Sequence, residues 1–528
     1  MPGPRSRQGC TECRRRRRKC DEQRPICGQC STFDRSCTYA LKVVWSDGLR
    51  SNRPAPGPRS QPSELIAEAS GTQPIRESLH FSPPTARTSL AISDDSLGYS
   101  VPSHDRPVLL PRCLPNGVQV SPRYHRLLSY FTKDILASLS CHPSVHEDLC
   151  RGLIPATLHS PQLLSACLAL SAAGILSRGL SEVDGIAISR ILGHLQTSGL
   201  ALLRTALEAG QMNETILATC LIWCLTDVFT YRQGSTSSWR IHLQGIKAIL
   251  DSTQAHRYFS TDSGAAKSAM RHLYLLYLSL QTLPHVPAIA VSELSNNCEN
   301  TALETSNERE EEEEAIVMGP KIDGFLGYSE ELLHIIQKVN QLARSHTAGA
   351  GGTQYEADIL LGKLNAMINR DSQIPPDVAI YSSLSPESNR EFELCHRTFQ
   401  QATLIHVYRR LYHLPSNSPP IQDAVLAITK MVTEMAQGQP CHTWVAMAMP
   451  LFTIGCEAFT DDQQSFVLDK IHKLDLCIGS YHVRIIGQAL EDLWRIRREA
   501  GDFDGHLCAA ELLGKSGPQH DFICVIYF

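Results

Sequence analysis

Residues 10–37 read CTECRRRRRKCDEQRPICGQCSTFDRSC and hold six cysteines in two repeated triplets. The spacing is C-x2-C-x6-C-x6-C-x2-C-x6-C, so each triplet opens with a C-x-x-C pair that presents two thiolates to one ion. Six thiolates are too few for two separate tetrahedral S4 sites, which together need eight ligands. They are sufficient if both metals share two of the ligands. The spacing therefore predicts a compact binuclear zinc cluster.

A run of six cations fills the gap between Cys13 and Cys20. These cations are Arg14, Arg15, Arg16, Arg17, Arg18 and Lys19. Metal binding would hold all six side chains on one small surface, which is typical of a protein that binds DNA. The same exposed cations suit a nuclear localisation signal, and the two uses are compatible.

Charge is distributed unevenly along the 528 residues. Residues 1–42 hold eleven Lys and Arg against four Asp and Glu, whereas the formal net charge of the whole chain is -5. The remainder of the chain is therefore acidic. A positive head on an acidic body indicates a nucleic-acid-binding domain attached to a region that contacts other proteins.

The total of nineteen cysteines does not indicate a secreted disulfide scaffold. The N-terminus, MPGPRSRQGC, lacks the apolar segment of a secretory signal. Many other cysteines lie in apolar stretches, where a thiol behaves as a small hydrophobe. Cys220 and Cys224 are spaced for a shared metal, but no second pair lies near them. We expect a reducing, intracellular compartment, with these two thiols buried.

Three regions are predicted: a zinc head over residues 1–42, a flexible Pro- and Ser-rich linker over 43–118, and an all-α helical body over 119–528. Within the body, residues 294–320 are predicted to be an acidic disordered insert, because the like charges near Glu308 repel one another. An activation segment would interleave bulky apolar residues with the acids. This run does not, which favours a surface insert.

The helical body is predicted from apolar residues that recur with a period of 3.6 residues. The predicted helices cover residues 121–139, 161–176, 183–208, 213–231, 238–250, 264–282, 329–345, 355–370, 388–412, 421–437, 442–459, 463–475 and 484–499. No convincing alternating pattern is present, so no strand is predicted. The most apolar runs are shorter than the roughly 20 residues that span a bilayer, so no membrane partner is expected.

The cysteine repeat resembles the fungal binuclear zinc cluster, Zn2Cys6, of fungus-specific transcription factors. All six cysteines match, together with the basic run, Asp21 and Pro25. The resemblance implies two Zn²⁺ ions held by Cys10, Cys13, Cys20, Cys27, Cys30 and Cys37. It further implies that Cys10 and Cys27 bridge both ions. Cys13 and Cys20 would then complete one tetrahedron, and Cys30 and Cys37 would complete the other.

The resemblance also implies a nuclear, sequence-specific transcription factor that binds double-stranded DNA at RNA polymerase II promoters. The usual target of the family is a CGG triplet in the major groove. Arg16 and Arg17 occupy the positions that reach base edges, and arginine can bind guanine through two hydrogen bonds. The remaining cations, Arg14, Arg15, Arg18 and Lys19, are assigned to phosphates.

The body resembles the fungus-specific transcription factor regulatory domain, which implies contacts with transcriptional coregulators. The resemblance includes the pattern W-x-x-H-L-x-G, here Trp239, His242, Leu243 and Gly245. We interpret Trp239 and His242 as a core tryptophan beside a hydrogen-bonded histidine.

Two alternative functions remain open at this point. No G-x-S-x-G, P-loop, G-x-G-x-x-G or H-E-x-x-H motif is present, so no enzyme is predicted. A body with enzymatic or effector-binding activity, addressed to chromatin by the head, is one alternative. A protein-interaction module that does not bind DNA is the other. Residues 38–118 contain no heptad leucines, so a coiled-coil dimer is not predicted. Either the head binds DNA as a monomer, or the helical body pairs two subunits into a homodimer.

Overall fold

The computed structural model describes part of the zinc head and most of the helical body. The described residues are 12, 13, 16, 18, 20, 21, 27–33, 122–211, 213–230, 239–253, 265–281, 321–347, 353–380, 384–502, 505–507 and 509. The chain divides into two compact units, Met1–Ser82 and Pro83–Phe528. The predicted linker and the predicted acidic insert lie outside the described residues.

Helices form nearly all of the described body. They are α2 (Pro122–Tyr130), α3 (Leu136–Ser138), α4 (Pro143–His159), α5 (Pro161–Ser177), α6 (Ile188–Glu208), α7 (Glu214–Thr230), α8 (Trp239–Thr253), α9 (Ala265–Gln281), α10 (Glu330–Thr347), α11 (Thr353–Gln373), α12 (Pro386–Arg410), α13 (Pro419–Glu434), α14 (Ala448–Cys456), α15 (Asp461–Ile478) and α16 (Tyr481–Ala500). A short helix in the zinc head, α1, spans Gly28–Thr32. The prediction of an all-α body is therefore confirmed.

Helix α5 is buried along nearly its whole length. Ser160 accepts a hydrogen bond from the Leu163 N–H at 3.4 Å, and Pro161 occupies the first turn. Helices α6 and α7 pack against α5, and α8 packs against α7. Because α5 and α7 are apolar on every side, neighbours must surround them.

Helix α12 organises the second half of the body through contacts with α10, α11, α13 and α14. Helices α14, α15 and α16 pack against one another, and the Trp494 Nε1–H donates to the Gly455 carbonyl at 2.8 Å. Helix α16 also contacts α7. The buried apolar residues of both halves therefore form one continuous core.

The prediction that the body lacks strands is wrong. Strands β1 (Glu182–Val183) and β2 (Ile186–Ala187) form an antiparallel hairpin. The two turn residues, Asp184 and Gly185, have φ values of 54° and 71°, the positive values that a tight hairpin requires. Helix α6 consequently begins at Ile188, later than the sequence pattern predicts.

A second pair of strands joins distant parts of the body. Strand β3 (Lys321–Asp323) pairs in parallel with β4 (Asp377–Ala379), and Ile322 lies opposite Val378. Each strand is only three residues long, which is too short to produce a recognisable alternation.

Two predicted helices are interrupted. The first contains a π-helical turn over Phe131–Ile135, between α2 and α3. The segment predicted as one helix over 442–459 forms a 3-10 turn, Thr443–Ala446, followed by α14. Among the described helices, none combines the length and the apolar character that crossing a bilayer requires.

Candidate metal centre and nucleic-acid interface

The described cysteines of the zinc head lie together. The Sγ atoms of Cys13, Cys20 and Cys27 are all within 4.8 Å of one another, and the three residues are buried. Cys30 is also buried and belongs to the same cluster. This cluster is distinct from the core of the helical body.

The spacing of these sulfurs fits a zinc site. Cys13 Sγ and Cys27 Sγ are 3.7 Å apart. Ligands about 2.3 Å from a tetrahedral zinc ion lie about 3.8 Å from one another, whereas bonded disulfide sulfurs are about 2.05 Å apart. The chemistry and spacing of the three thiols therefore match three ligands of one Zn²⁺ ion.

Cys27 also begins helix α1. It is the N-cap residue, and its Sγ accepts a hydrogen bond from the Cys30 N–H at 3.4 Å. A hydrogen bond to sulfur favours the thiolate, which is the form that binds metal. The four residues Cys27–Cys30 thus supply two thiol ligands and also begin helix α1.

Asp21 contacts the first residue of the same helix. Its Oδ2 and Oδ1 atoms lie 2.8 Å and 3.1 Å from the Gly28 nitrogen and accept its N–H hydrogen. A Cβ atom at Gly28 would lie 2.5 Å from Asp21 Oδ2, so only glycine fits here without a shift. Asp21 matches the zinc-cluster pattern in sequence, but its contact with Gly28 is not predictable from that match.

The basic run begins at the end of a helical turn. Glu12 and Cys13 are helical, and the Arg16 N–H donates to the Glu12 carbonyl at 3.1 Å. The Arg18 N–H donates to the Cys13 carbonyl at 2.9 Å. A hydrogen bond between residues five positions apart is typical of the C-terminal end of a helix. Arg16 and Arg18 are exposed beside the buried Cys13. Cations at a helix C-terminus are also favoured by the helix dipole.

The remaining predicted site residues lie outside the described residues. They are Cys10, Cys37, Arg14, Arg15, Arg17 and Lys19. Their predicted roles therefore remain predictions.

His242 and the cysteine pair Cys220 and Cys224 are structural residues of the body. His242 is buried, with its Nε2 atom 3.3 Å from Asp227 Oδ2 on α7, as the hydrogen-bonded interpretation predicts. The Trp239 side chain lies outside the described residues. Cys220 and Cys224 are both buried, and burial raises the pKa of the Cys220 thiol to about 12. A thiol with so high a pKa is protonated near neutral pH and is a poor metal ligand.

Two family models match this chain. The fungal Zn(2)-Cys(6) binuclear cluster domain matches residues 8–46, and the fungal specific transcription factor domain matches residues 126–509. The chain belongs to the fungal specific transcription factor family. Members of this family that carry the zinc cluster are DNA-binding transcription factors, and the cluster of this member binds two zinc ions.

Similarity to individual fungal regulators is concentrated in short segments. A lysine biosynthesis regulatory protein of Saccharomyces cerevisiae is 58% identical over 36 residues, 7% of this chain and 5% of that protein. A thiamine biosynthesis regulatory protein of the same yeast is 30% identical over 107 residues, 18% of this chain and 23% of that protein. Sterol uptake control protein 2 of Candida albicans is 34% identical over 73 residues, 13% of this chain and 10% of that protein.

The chain thus spans less than a quarter of the length of each of these relatives. No solved structure matches the chain. The family membership rests on the two domain matches, which together cover the zinc head and most of the helical body.

Proposed function

We propose that this family member acts in the nucleus at RNA polymerase II promoters, where it binds CGG-type sites through the major groove. Arg16 and Arg17 would contact guanine edges, because a guanidinium can donate to O6 and N7 together. The phosphate contacts would come from Arg14, Arg15, Arg18 and Lys19.

The observation that carries this proposal is the exposed helix end beside the thiol cluster. Arg16 and Arg18 follow a turn whose Cys13 is buried among the other sulfurs. A metal cluster makes so small a peptide rigid, and a rigid helix end can hold cations in a fixed orientation toward a groove. A flexible polybasic peptide would bind phosphates without distinguishing bases.

We also propose the ligand roles that the family resemblance implies. Cys10 and Cys27 would bridge the two ions. Cys13 and Cys20 would complete one tetrahedron, and Cys30 and Cys37 the other. The mutual proximity of the Cys13, Cys20 and Cys27 sulfurs supports this assignment, since the three belong to one tetrahedron in it.

The helical body is proposed to bind transcriptional coregulators rather than to catalyse a reaction. One buried polar group in the described part of the body centres on Asp371 and His396, whose Oδ2 and Nε2 atoms are 3.0 Å apart. Each of these side chains is only 1% exposed, so a substrate cannot reach them. Burial alone would raise the pKa of Asp371, but hydrogen bonds from His396 and Arg370 hold the pKa below its usual range. Such a pair links helices α11 and α12.

Fluorescence anisotropy of the full-length chain with two labelled duplexes tests the proposal. One duplex contains a CGG triplet, and the other has the same composition with the triplet scrambled. Arg16→Ala should lower affinity for the CGG duplex by about tenfold to a hundredfold and should leave affinity for the scrambled duplex nearly unchanged.

Arg18→Ala is the matched control, because it removes the same charge two residues away. As a phosphate contact it should weaken binding to both duplexes about equally. Equal losses for Arg16→Ala and Arg18→Ala on both duplexes would overturn the proposed base contact. Unchanged DNA binding in the Arg16→Ala/Arg17→Ala variant would overturn the proposed interface as a whole.

A further inference from the structure

The zinc head exposes a large aromatic side chain at the end of helix α1. Phe33 is the C-cap residue of this helix, and it is 58% exposed. Its backbone N–H donates to the Ser31 carbonyl, which fixes the point at which the ring leaves the helix. A binding partner that covers this ring would gain apolar contact. The neighbours of Phe33 indicate what that partner is.

Phe33 lines a cleft together with residues of the basic run. Arg16 and Arg18 come from that run. Gln29 and Phe33 come from helix α1 and its C-cap, and their spacing of four positions places them on one face of the helix. We call the depression lined by these four residues the basic cleft. It holds an aromatic ring beside the arginine that is proposed to contact guanine.

The basic cleft is separate from the space that the ligands of one zinc ion enclose. Of the described cysteines, Cys13 and Cys30 line the cleft, whereas Cys20 and Cys27 do not. The sulfurs of Cys13, Cys20 and Cys27 lie within 4.8 Å of one another. Because two of these three ligands lie outside the cleft, an ion held by all three lies beside the cleft rather than in it.

The cysteine repeat gives Phe33 the same position in the second triplet that Arg16 has in the first. Arg16 is the third residue after Cys13, and Phe33 is the third residue after Cys30. Both side chains are exposed. The two halves of the head therefore present different chemistry at equivalent places, a cation in one half and an apolar ring in the other.

The occupant of the basic cleft must suit both kinds of side chain. Among the residues that line the cleft, Arg16 and Arg18 outnumber the acidic Glu12, so negative charge is favoured. Phe33 favours an apolar group in the same place. The major groove of DNA offers both, because phosphates border it and the 5-methyl group of thymine lies on its base edges. A small phosphate compound would suit the arginines but leave the ring in water.

We propose that the Phe33 ring packs against the 5-methyl group of a thymine next to the CGG triplet, and that Phe33 thereby determines which base pair the chain prefers there. The inference rests on the proposed function, because it places the zinc head in the major groove at that triplet. It adds a base outside the triplet to the recognition site. It also assigns a base contact to the second half of the cysteine repeat.

The size and position of the effect follow from the chemistry of the base. Uracil in place of thymine removes the methyl group and leaves the hydrogen-bonding groups of the base unchanged. Burial of one methyl group changes affinity by about fourfold. Successive base pairs are about 3.4 Å apart, so side chains of one cleft reach only about one or two pairs beyond the triplet.

Fluorescence anisotropy of the zinc-loaded full-length chain measures the contact. Thymine is placed in turn, in either strand, at the two positions on each side of the CGG triplet, and each duplex is also made with uracil at that position. At one position or more, the wild-type chain should bind the uracil duplex about fourfold more weakly than the thymine duplex. In Phe33→Ala this difference should disappear, because no ring remains to cover the methyl group.

Ser31→Ala is the matched control for Phe33→Ala. Ser31 is exposed in the same helix but is not among the residues that line the cleft. This variant should keep the preference for thymine. Zinc content should be equal in the wild-type chain and both variants, which separates a lost contact from a lost fold. The comparison of thymine with uracil in the wild-type chain needs no variant, so it stays decisive if Phe33→Ala fails to bind zinc.

The outcomes separate this inference from the proposed function. A wild-type chain that distinguishes CGG from the scrambled triplet but binds thymine and uracil duplexes equally at every position would overturn the Phe33 contact and leave the proposed function standing. A preference for thymine that persists in Phe33→Ala would also overturn the contact, because another residue would then make it. A wild-type chain that binds the CGG and scrambled duplexes equally would overturn the proposed function and this inference with it.

Discussion

Single residues determine whether the zinc head can keep its shape, and Gly28 is the clearest case. Its N–H donates to both oxygens of Asp21, and a Cβ atom would lie 2.5 Å from Asp21 Oδ2. Gly28→Ala should therefore disrupt the hydrogen bond between Gly28 and Asp21 and destabilise the folded head by about 1 kcal/mol. A loss of that size lowers zinc affinity by roughly fivefold.

Competition with a chromophoric zinc chelator measures this change. Gln29→Ala is a suitable control, because Gln29 is exposed and follows Gly28 in the same helix. If Gly28→Ala and Gln29→Ala released zinc at the same chelator concentration, the hydrogen bond between Gly28 and Asp21 would not contribute to zinc affinity.

At this scale the sequence predicts ligands better than supporting contacts. The spacing predicts one shared binuclear cluster, because paired thiols and a fixed return distance suit a tetrahedral ion. That Cys27 lies with Cys13 and Cys20 is what the family resemblance implies, and the structure places these three sulfurs together. The bond from Gly28 to Asp21 could not be predicted in the same way. It joins residues seven positions apart through a turn, and no periodicity encodes such a contact.

Among helices, long and regularly patterned elements are the predictable ones. The sequence predicts a helix over 161–176, and α5 spans Pro161–Ser177, because a proline after a capping serine defines its start and an apolar run defines its length. The pairing of β3 with β4 was not predictable, since it depends on how distant helices pack.

A buried ion pair at the end of helix α12 ties it to the residue that follows α14. Arg409 Nε lies 3.2 Å from Glu457 Oε1, and the two side chains are 5% and 4% exposed. Arg409→Met leaves the carboxylate of Glu457 buried without its cation, so the free energy of unfolding should fall by about 3–5 kcal/mol. Chemical denaturation followed by far-UV circular dichroism measures this loss.

The double variant Arg409→Met/Glu457→Met separates the charge effect from packing. It removes both charges and should recover part of the stability that Arg409→Met loses. Arg204→Ala breaks an exposed i,i+4 pair with Glu208 and should change stability by less than about 0.5 kcal/mol. Equal losses in Arg409→Met and Arg204→Ala would show that the buried pair does not stabilise the body.

The whole molecule contains two separate sources of folding free energy. The sulfurs of the zinc head form their own buried cluster, and none of these cysteines belongs to the apolar core of the body. A head of about 40 residues is too small to be stable through apolar burial alone, so bound metal must stabilise it. The body has a core large enough to stay folded without metal.

Zinc removal should therefore abolish DNA binding by the head while the body stays folded. After treatment with a strong chelator, binding to a CGG duplex should be lost, while the far-UV circular dichroism of the body helices should change little. Adding zinc back should restore binding, because the thiols need only regain their ions. If the helical signal collapsed together with DNA binding, the body would depend on the metal, and the division into a metal-stabilised head and a core-stabilised body would be wrong.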